Sequence, residues 1–230
     1  MNRSAEFQRN TILSILSRGP DFAAIARNLT VRSLIPDATV QEANELIRAI
    51  HFPLSGMLSS VVEMANGGMV EICCVGCSGM VNWEALIGQK KSRFRHFIQV
   101  AGDVASISAP LLMPYLTHPV VSGYISRITY ETARNAACNC VHHVDERLAR
   151  WLLIAADKVE SDEMGLTQEF LAMMLGARRA TVTIAAGKLQ QAGLIRYRRG
   201  RVHIINREGL IGASCECYEA IASVAKHRAS

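Results

Sequence analysis

Apolar positions along this chain change their period from one stretch to the next. Up to about residue 25, Phe7, Ile12, Leu13, Ile15 and Leu16 recur at helical intervals and predict one short helix packed against the β-rich stretch after it. From about Leu29 to Leu112 the period drops to two, in short runs: Ala49 to Phe52, Leu58 to Met64, Met69 to Val75, Phe97 to Val100 and Val104 to Ser108. The turn Ala65-Asn66-Gly67-Gly68 separates two of them. Short strands with glycine-rich turns predict a β-sandwich or β-roll. A long helix comes after Pro119, with Val121, Ile125 and Ile128 in a stripe that Thr132 and Asn135 continue. This is coiled-coil spacing, so the helix, about 114–141, is expected to pair with a second copy of itself; burial against the chain's own β-domain is the alternative. His142-His143 interrupts the stripe, and Val144, Leu148, Trp151, Leu152 and Ala155 mark a second amphipathic helix.

The last third is the most regular. Thr167 is placed to cap a short helix with Leu171, Met174 and Leu175 on one face, and Gly176-Ala177-Arg178 breaks it. A second helix is predicted from about Arg179 to Ala192. With Val182 inward, Ala186 and Leu189 share its buried side, while Ala180, Thr183, Ile184, Gly187, Lys188 and Gln191 point outward. After Gly193, Ile195 alternates with Tyr197 and Val202 with Ile204 across a two-residue Arg199-Gly200 turn, which predicts a hairpin whose other face carries Arg196, Arg198, Arg201 and His203. Two helices joined by a tight turn and continued by a wing are the scaffold that sets a helix in the major groove of duplex DNA.

Charge agrees with this assignment. From Leu166 to Arg207 eight cations face Glu169 alone, a net +7, whereas the whole chain carries +5. The surplus therefore sits on this module, where phosphates would be neutralised, and the remainder is slightly acidic. With 230 residues, half of them apolar, two domains fit better than one. Seven cysteines without an even framework, and no secretory leader ahead of Asn10, predict a cytoplasmic protein. Glu71, Glu84 and Lys90-Lys91 interrupt every candidate for the roughly 18 apolar residues of a membrane span, so no membrane association is expected.

The order of parts, with His51-Phe52-Pro53 through Gly56 and Ser59, Gly79-Met80-Val81, Arg147 to Leu153, and Leu166-Thr167 through Gly176, Arg179 and Gly193-Leu194-Ile195, resembles the Crp/Fnr family of bacterial transcription regulators over nearly the whole chain. The resemblance implies an α+β fold: an N-terminal double-stranded β-helix (β-roll) sensor domain with the dimerisation helix, residues 1–143, and a C-terminal winged helix-turn-helix DNA-binding domain, 144–230. It further implies a homodimer on a palindromic operator, RNA polymerase as a partner, and no enzyme activity. Carried over by position, Arg179 matches the guanine-reading arginine, able to donate to O6 and N7 together. Ala180 and Ile184 stand where the best-known member has a glutamate and a second arginine, so this chain's half-site should differ, with apolar contact to thymine methyl groups and a hydroxyl from Thr183. Thr167, Arg178, Thr181, Lys188, Arg198, Arg199 and Arg201 are expected to clamp phosphates.

The family's cyclic-nucleotide pocket uses a Gly-Glu pair for the ribose and an Arg-Ser pair for the phosphate. Here Gly79-Met80 lacks the carboxylate and Lys91-Ser92 lacks the planar guanidinium fork, so a cyclic nucleotide is not expected; Met80, Lys91, Ser92 and Thr132 are the candidate lining for some other effector. No cysteine precedes residue 73, so the iron-sulfur cluster of the family's oxygen sensor is not implied, and no cofactor is predicted. Cys138 and His142, one helical turn apart, could share a metal, but small buried residues at a helix crossing are the simpler reading and no metal site is assigned. Two alternatives stand beside the regulator: a metal-dependent enzyme on the β-domain, which offers only the widely spaced His51 and His96, and a thiol- or metal-sensing regulator using Cys138, Cys140 and His142.

Overall fold

The computed structural model describes residues 6–226, which divide into two compact units: residues up to 63 with 74–128, and residues 64–73 with 129 onward. The division expected between residues 143 and 144 lies inside the second.

Among the described residues the first unit has α1 (Thr11–Leu16) and α2 (Phe22–Asn28), separated by Gly19-Pro20, in the stretch up to about residue 25 where one short helix was expected. Asn10 is fully buried; its side-chain oxygen caps α1 by accepting from the Ile12 and Leu13 amides, and its amide nitrogen donates to the Pro53 and Gly79 carbonyls at 3.0 and 2.9 Å. The strands in chain order are β1 (Thr30–Leu34), β2 (Thr39–Gln41), β3 (Ala49–Pro53), β4 (Met57–Glu63), β5 (Met69–Val75), most of which falls in the second unit, β6 (Arg95–Val100) and β7 (Gly102–Ser108). They form two sheets, β1-β7-β3 and β2-β6-β4-β5. The sequence did not single out β1 and β2: no residue of β1 is buried, and β2 has only three residues, so neither shows a two-residue alternation. Ile50, Phe52, Leu58, Val61, Ile98 and Ile107, from β3, β4, β6 and β7, are all buried.

A short α3 (Ala109–Leu112) and a 3₁₀ turn over Met113–Tyr115 lead to α4 (Pro119–Val141). The long helix thus starts at Pro119 and not at about 114. Its expected seam is also corrected: Val121 and Ile128 are 0 and 4% exposed within a single chain, so they are not available to a second copy. The Tyr124 hydroxyl donates to the Met80 carbonyl at 2.6 Å from the same side of the helix. Ile125, Thr132 and Asn135, the other members of the stripe, are half-buried.

In the second unit, α5 (Val144–Val159) is the centre: every residue from Arg147 to Ala156 is buried. Its buried polar side chains each reach a partner. Arg147 donates to the Leu175 carbonyl, Arg150 to the Asn135 side chain, and the Trp151 indole to the Glu71 carboxylate at 2.6 Å. Lys158 pairs with buried Glu131 of α4 at 2.7 Å. Around α5 lie β8 (Glu163–Gly165), α6 (Gln168–Leu175), α7 (Arg179–Gln191), β9 (Ile195–Arg198), β10 (Arg201–Ile204), α8 (Arg207–Ala213) and α9 (Cys217–Lys226). Among the described residues no helix is long and apolar enough to cross a membrane.

Candidate DNA interface

Helices α6 and α7 form the predicted pair. Thr167 caps α6 by accepting from the Phe170 amide at 3.1 Å, and Gly176 ends it at φ +55°, a left-handed conformation that glycine adopts without steric cost. Helix α7 starts differently. Its N-cap is Arg178, which places no side-chain acceptor on the first-turn amides. A helix start left open in this way presents N–H groups and the positive end of the dipole to an anion. Val182, Ala186 and Leu189 are buried as the period requires, with Ala185 beside them, and Arg178, Arg179, Ala180, Thr181, Thr183, Ile184 and Lys188 are exposed.

The wing is a hairpin in which Arg198 pairs with Arg201 and Ile195 with Ile204. Both turn residues have positive φ, Arg199 at 51° and Gly200 at 73°, the twist a two-residue hairpin loop needs. Glycine accepts that geometry freely, whereas arginine is strained by it. Strand β8, too short to be read from the sequence, adds a third member by pairing Gly165 with Arg201 and Glu163 with His203. Glu163, Arg196, Arg198, Arg199, Arg201 and His203 line one open hollow of about 520 Å³.

The structure sorts the cations that sequence counted together. Lys188 is paired with Asp145 at 3.0 Å, which holds the Asp145 carboxyl below its ordinary value, and Arg201 is paired with Glu163 at 3.1 Å. Arg207 is bound to Asp157 and, at 3.1 Å, to the Tyr218 hydroxyl. Arg178, Arg179, Arg196, Arg198 and Arg199 have no ion-pair partner among the described residues. Thr183 is also engaged: its hydroxyl lies 2.9 Å from the Gln168 side-chain oxygen and 3.0 Å from the Arg179 carbonyl, so it can bridge α6 and α7. Gln168, Asp145 and Glu163 escaped the sequence reading because their roles depend on partners 15 to 43 residues away.

In the first unit, Met80 is fully buried and its carbonyl is taken by Tyr124, Lys91 is exposed, and Ser92 closes a turn, donating to the Phe94 carbonyl at 2.9 Å and accepting from the Phe94 amide. None of these three lines the hollow of about 470 Å³ bordered by Gln41, Glu42, Glu45, Arg48 and His51. Thr132, in the second unit, is half-buried on α4. His51 and His96 each have Nδ1 on a serine hydroxyl, Ser106 at 2.7 Å and Ser60 at 2.8 Å. Burial, reinforced by the Arg32 charge, lowers His51 to about 4, and burial with the neighbouring His51 lowers His96 to about 3. Both rings are neutral near pH 7.

Elsewhere in the second unit, Cys138 and His142 meet Cys215 and Cys217, with all four ligand atoms within 4.8 Å of one another. The Cys138 and Cys215 sulfurs are 3.5 Å apart. A hydrogen bond between them lowers the Cys215 thiol to about 6 and raises that of Cys138. Cys140, expected to act with Cys138, is exposed while Cys138 is buried, because residues two apart on a helix do not face each other. Of the residues expected to act together, Cys138 therefore lies beside Cys215 and His142 and not beside Cys140.

A winged helix-turn-helix with an open recognition-helix start, and with Arg196, Arg198 and Arg199 of the wing without an ion-pair partner among the described residues, has the geometry of a DNA-binding domain. Residues 146–212 match the Crp-like helix-turn-helix domain. No curated protein matches the chain in sequence. Among solved structures, a CRP-family transcriptional regulator from Thermus thermophilus aligns with TM-score 0.70 at 20% identity, covering 81% of this chain and 99% of its own. A CRP/FNR-family regulator of the same organism gives 0.66 at 21%, over 80 and 98%, and FixK2 from Bradyrhizobium japonicum 0.69 at 15%, over 81 and 98%. The chain has the fold of these proteins, and its residues 146–212 are a Crp-like helix-turn-helix domain.

Proposed function

We propose that the protein acts as a homodimer on a palindromic operator, reading each half-site through Arg179, Ala180 and Ile184. What carries this is the exposed side of α7, where Arg179, without an ion-pair partner among the described residues, is followed within about one and a half helical turns by Ala180 and by Ile184, a leucine-sized apolar side chain 63% exposed to water. Arg179 is suited to guanine O6 and N7, and Ile184 to a thymine methyl. Thr167, Arg178, Thr181, Arg198 and Arg199 would fix register on phosphates; Lys188 and Arg201 would have to leave Asp145 and Glu163 to join them, and Thr183 is better suited to bracing Gln168.

Self-association is supported by a row on α4 other than the one read from sequence: Ser126, Thr129, Ala133, Ala136 and Cys140, three or four residues apart and all exposed. RNA polymerase is the further partner that a regulator of this type would engage. The signal would act at the β-domain or the long helix. Either a ligand other than a cyclic nucleotide or a ligand-free pocket fits this reading, because Met80 offers no carboxylate for a ribose and Lys91 no planar fork for a phosphate.

The test is binding of Arg179→Ala to the operator recovered by selection from genomic DNA, beside a scrambled duplex. A loss of about 1 to 3 kcal/mol confined to the operator is expected. Equal losses on both duplexes would refute base reading by Arg179, and a protein monomeric at working concentration would refute the dimer.

A further inference from the structure

We infer that Cys138, His142, Cys215 and Cys217 form a closed tetrahedral site for a thiophilic divalent cation, zinc(II) by its chemistry, fastening the end of α4 to the link between α8 and α9. With Zn–S near 2.3 Å and Zn–N near 2.0 Å, the edges of a tetrahedral thiolate–imidazole site are about 3.5 to 3.8 Å long. The Cys138 and Cys215 sulfurs are 3.5 Å apart, and the Cys217 sulfur is 3.8 Å from His142 Nδ1. His142, one residue past the end of α4, donates its amide to the Cys138 carbonyl at 3.1 Å and so stands one turn from Cys138, and the Cys215-Glu216-Cys217 link brings two more donors to the same point.

The ring of His142 supplies a second, independent observation. While Nδ1 faces Cys217, Nε2 lies 3.1 Å from the Glu216 carboxylate, the outer partner that metal-ligating imidazoles use to fix ring orientation and tautomer. Arg134 stands 3.9 Å from a carboxylate oxygen of Glu216 and adds positive charge beside a site whose three thiolates outweigh a divalent ion. The three cysteines are 0, 5 and 2% exposed, so water would not compete for them. Loading would release the thiol protons to solvent. Four protein donors leave no open position, so the role is structural and not catalytic. A Cys138–Cys215 disulfide is the rival reading, but it needs the sulfurs near 2.05 Å and gives His142 and Cys217 nothing to do.

The test uses the full chain purified under reductant, analysed for bound metal, then stripped and titrated with cobalt(II) as the spectroscopic probe. One equivalent per chain is expected, with thiolate-to-cobalt charge transfer and the intense visible absorption of a tetrahedral site. Cys215→Ser and Cys217→Ser should lose that signal, Glu216→Gln should weaken affinity about 10- to 100-fold, and Cys140→Ser should leave it unchanged. If the serine variants fail to fold, competition between the wild-type protein and a chelator still measures the affinity, and chelation should lower its Tm. Absence of tetrahedral cobalt absorption in the reduced wild-type chain overturns the site, as does a signal that survives in both serine variants, or a Cys138–Cys215 disulfide in protein alkylated at lysis.

Discussion

The outer face of α7 with the wing, and the thiol–imidazole cluster at the end of α4, share one unit but differ in every physical respect. On the first, Arg179, Arg198 and Arg199 are exposed, separate and carried on long side chains. In the second, three buried sulfurs and a ring nitrogen converge within 4.8 Å. Dispersed hard cations suit a partner whose charge is spread along a rod. Converged soft donors suit a partner that is nearly a point. The contrast separates a surface built for readout from an interior built for fastening.

The inner side of α7 tests what holds the readout surface. Leu189→Ala should cost about 2 to 5 kcal/mol in thermal or urea denaturation, and should lower operator and random-DNA binding together. Unchanged stability would mean that the helix is held by something other than its buried stripe. Thr167→Ala removes the α6 cap and should cost about 1 kcal/mol, whereas Thr167→Ser keeps the acceptor. If Ser restores stability but not DNA affinity, the threonine methyl matters at the interface; if it restores both, the hydroxyl is enough.

Gly187→Ala gives a smaller effect of opposite sign. A Cβ at Gly187 would meet nothing within 4 Å, so the substitution should stabilise the fold by about 0.5 to 1 kcal/mol through helix propensity. Weaker DNA binding by the more stable variant would show that the helix backbone approaches the duplex at this point; unaltered binding would remove Gly187 from the interface. Smallest in stability, Arg198→Ala should change folding by less than about 0.5 kcal/mol yet reduce the slope of log K against log salt by about 1 on any duplex. A sequence-selective loss instead would move Arg198 from clamping to reading.

Much of the recognition face was legible because it is local. Thr167, Gly176, Val182 and Leu189 do their work within a turn or two of the helix they belong to, and the Arg199-Gly200 turn sets its own hairpin. What the sequence left unread depends on distance. Nothing in the spacing of Lys188 or Arg201 shows that Asp145 or Glu163 will neutralise it, and nothing in Cys138-x3-His142 announces Cys215-x-Cys217, which lie 73 or more residues further along. The α4 stripe failed for another reason. A period of three and four identifies a buried face without saying what buries it, so Val121 and Ile128 read equally well against a second copy or against the chain's own sheet. The short strands β1, β2 and β8 offered too few residues for any period to emerge.

At the tip of the wing, Arg199 holds a left-handed backbone at φ 51°, where most side chains collide with their own carbonyl, and glycine in its place would relieve about 1 kcal/mol. The hairpin therefore forgoes some stability to keep a guanidinium at its foremost point. Arg199→Gly should melt higher and grip DNA more weakly, a trade-off between rigidity and reach confined to one residue.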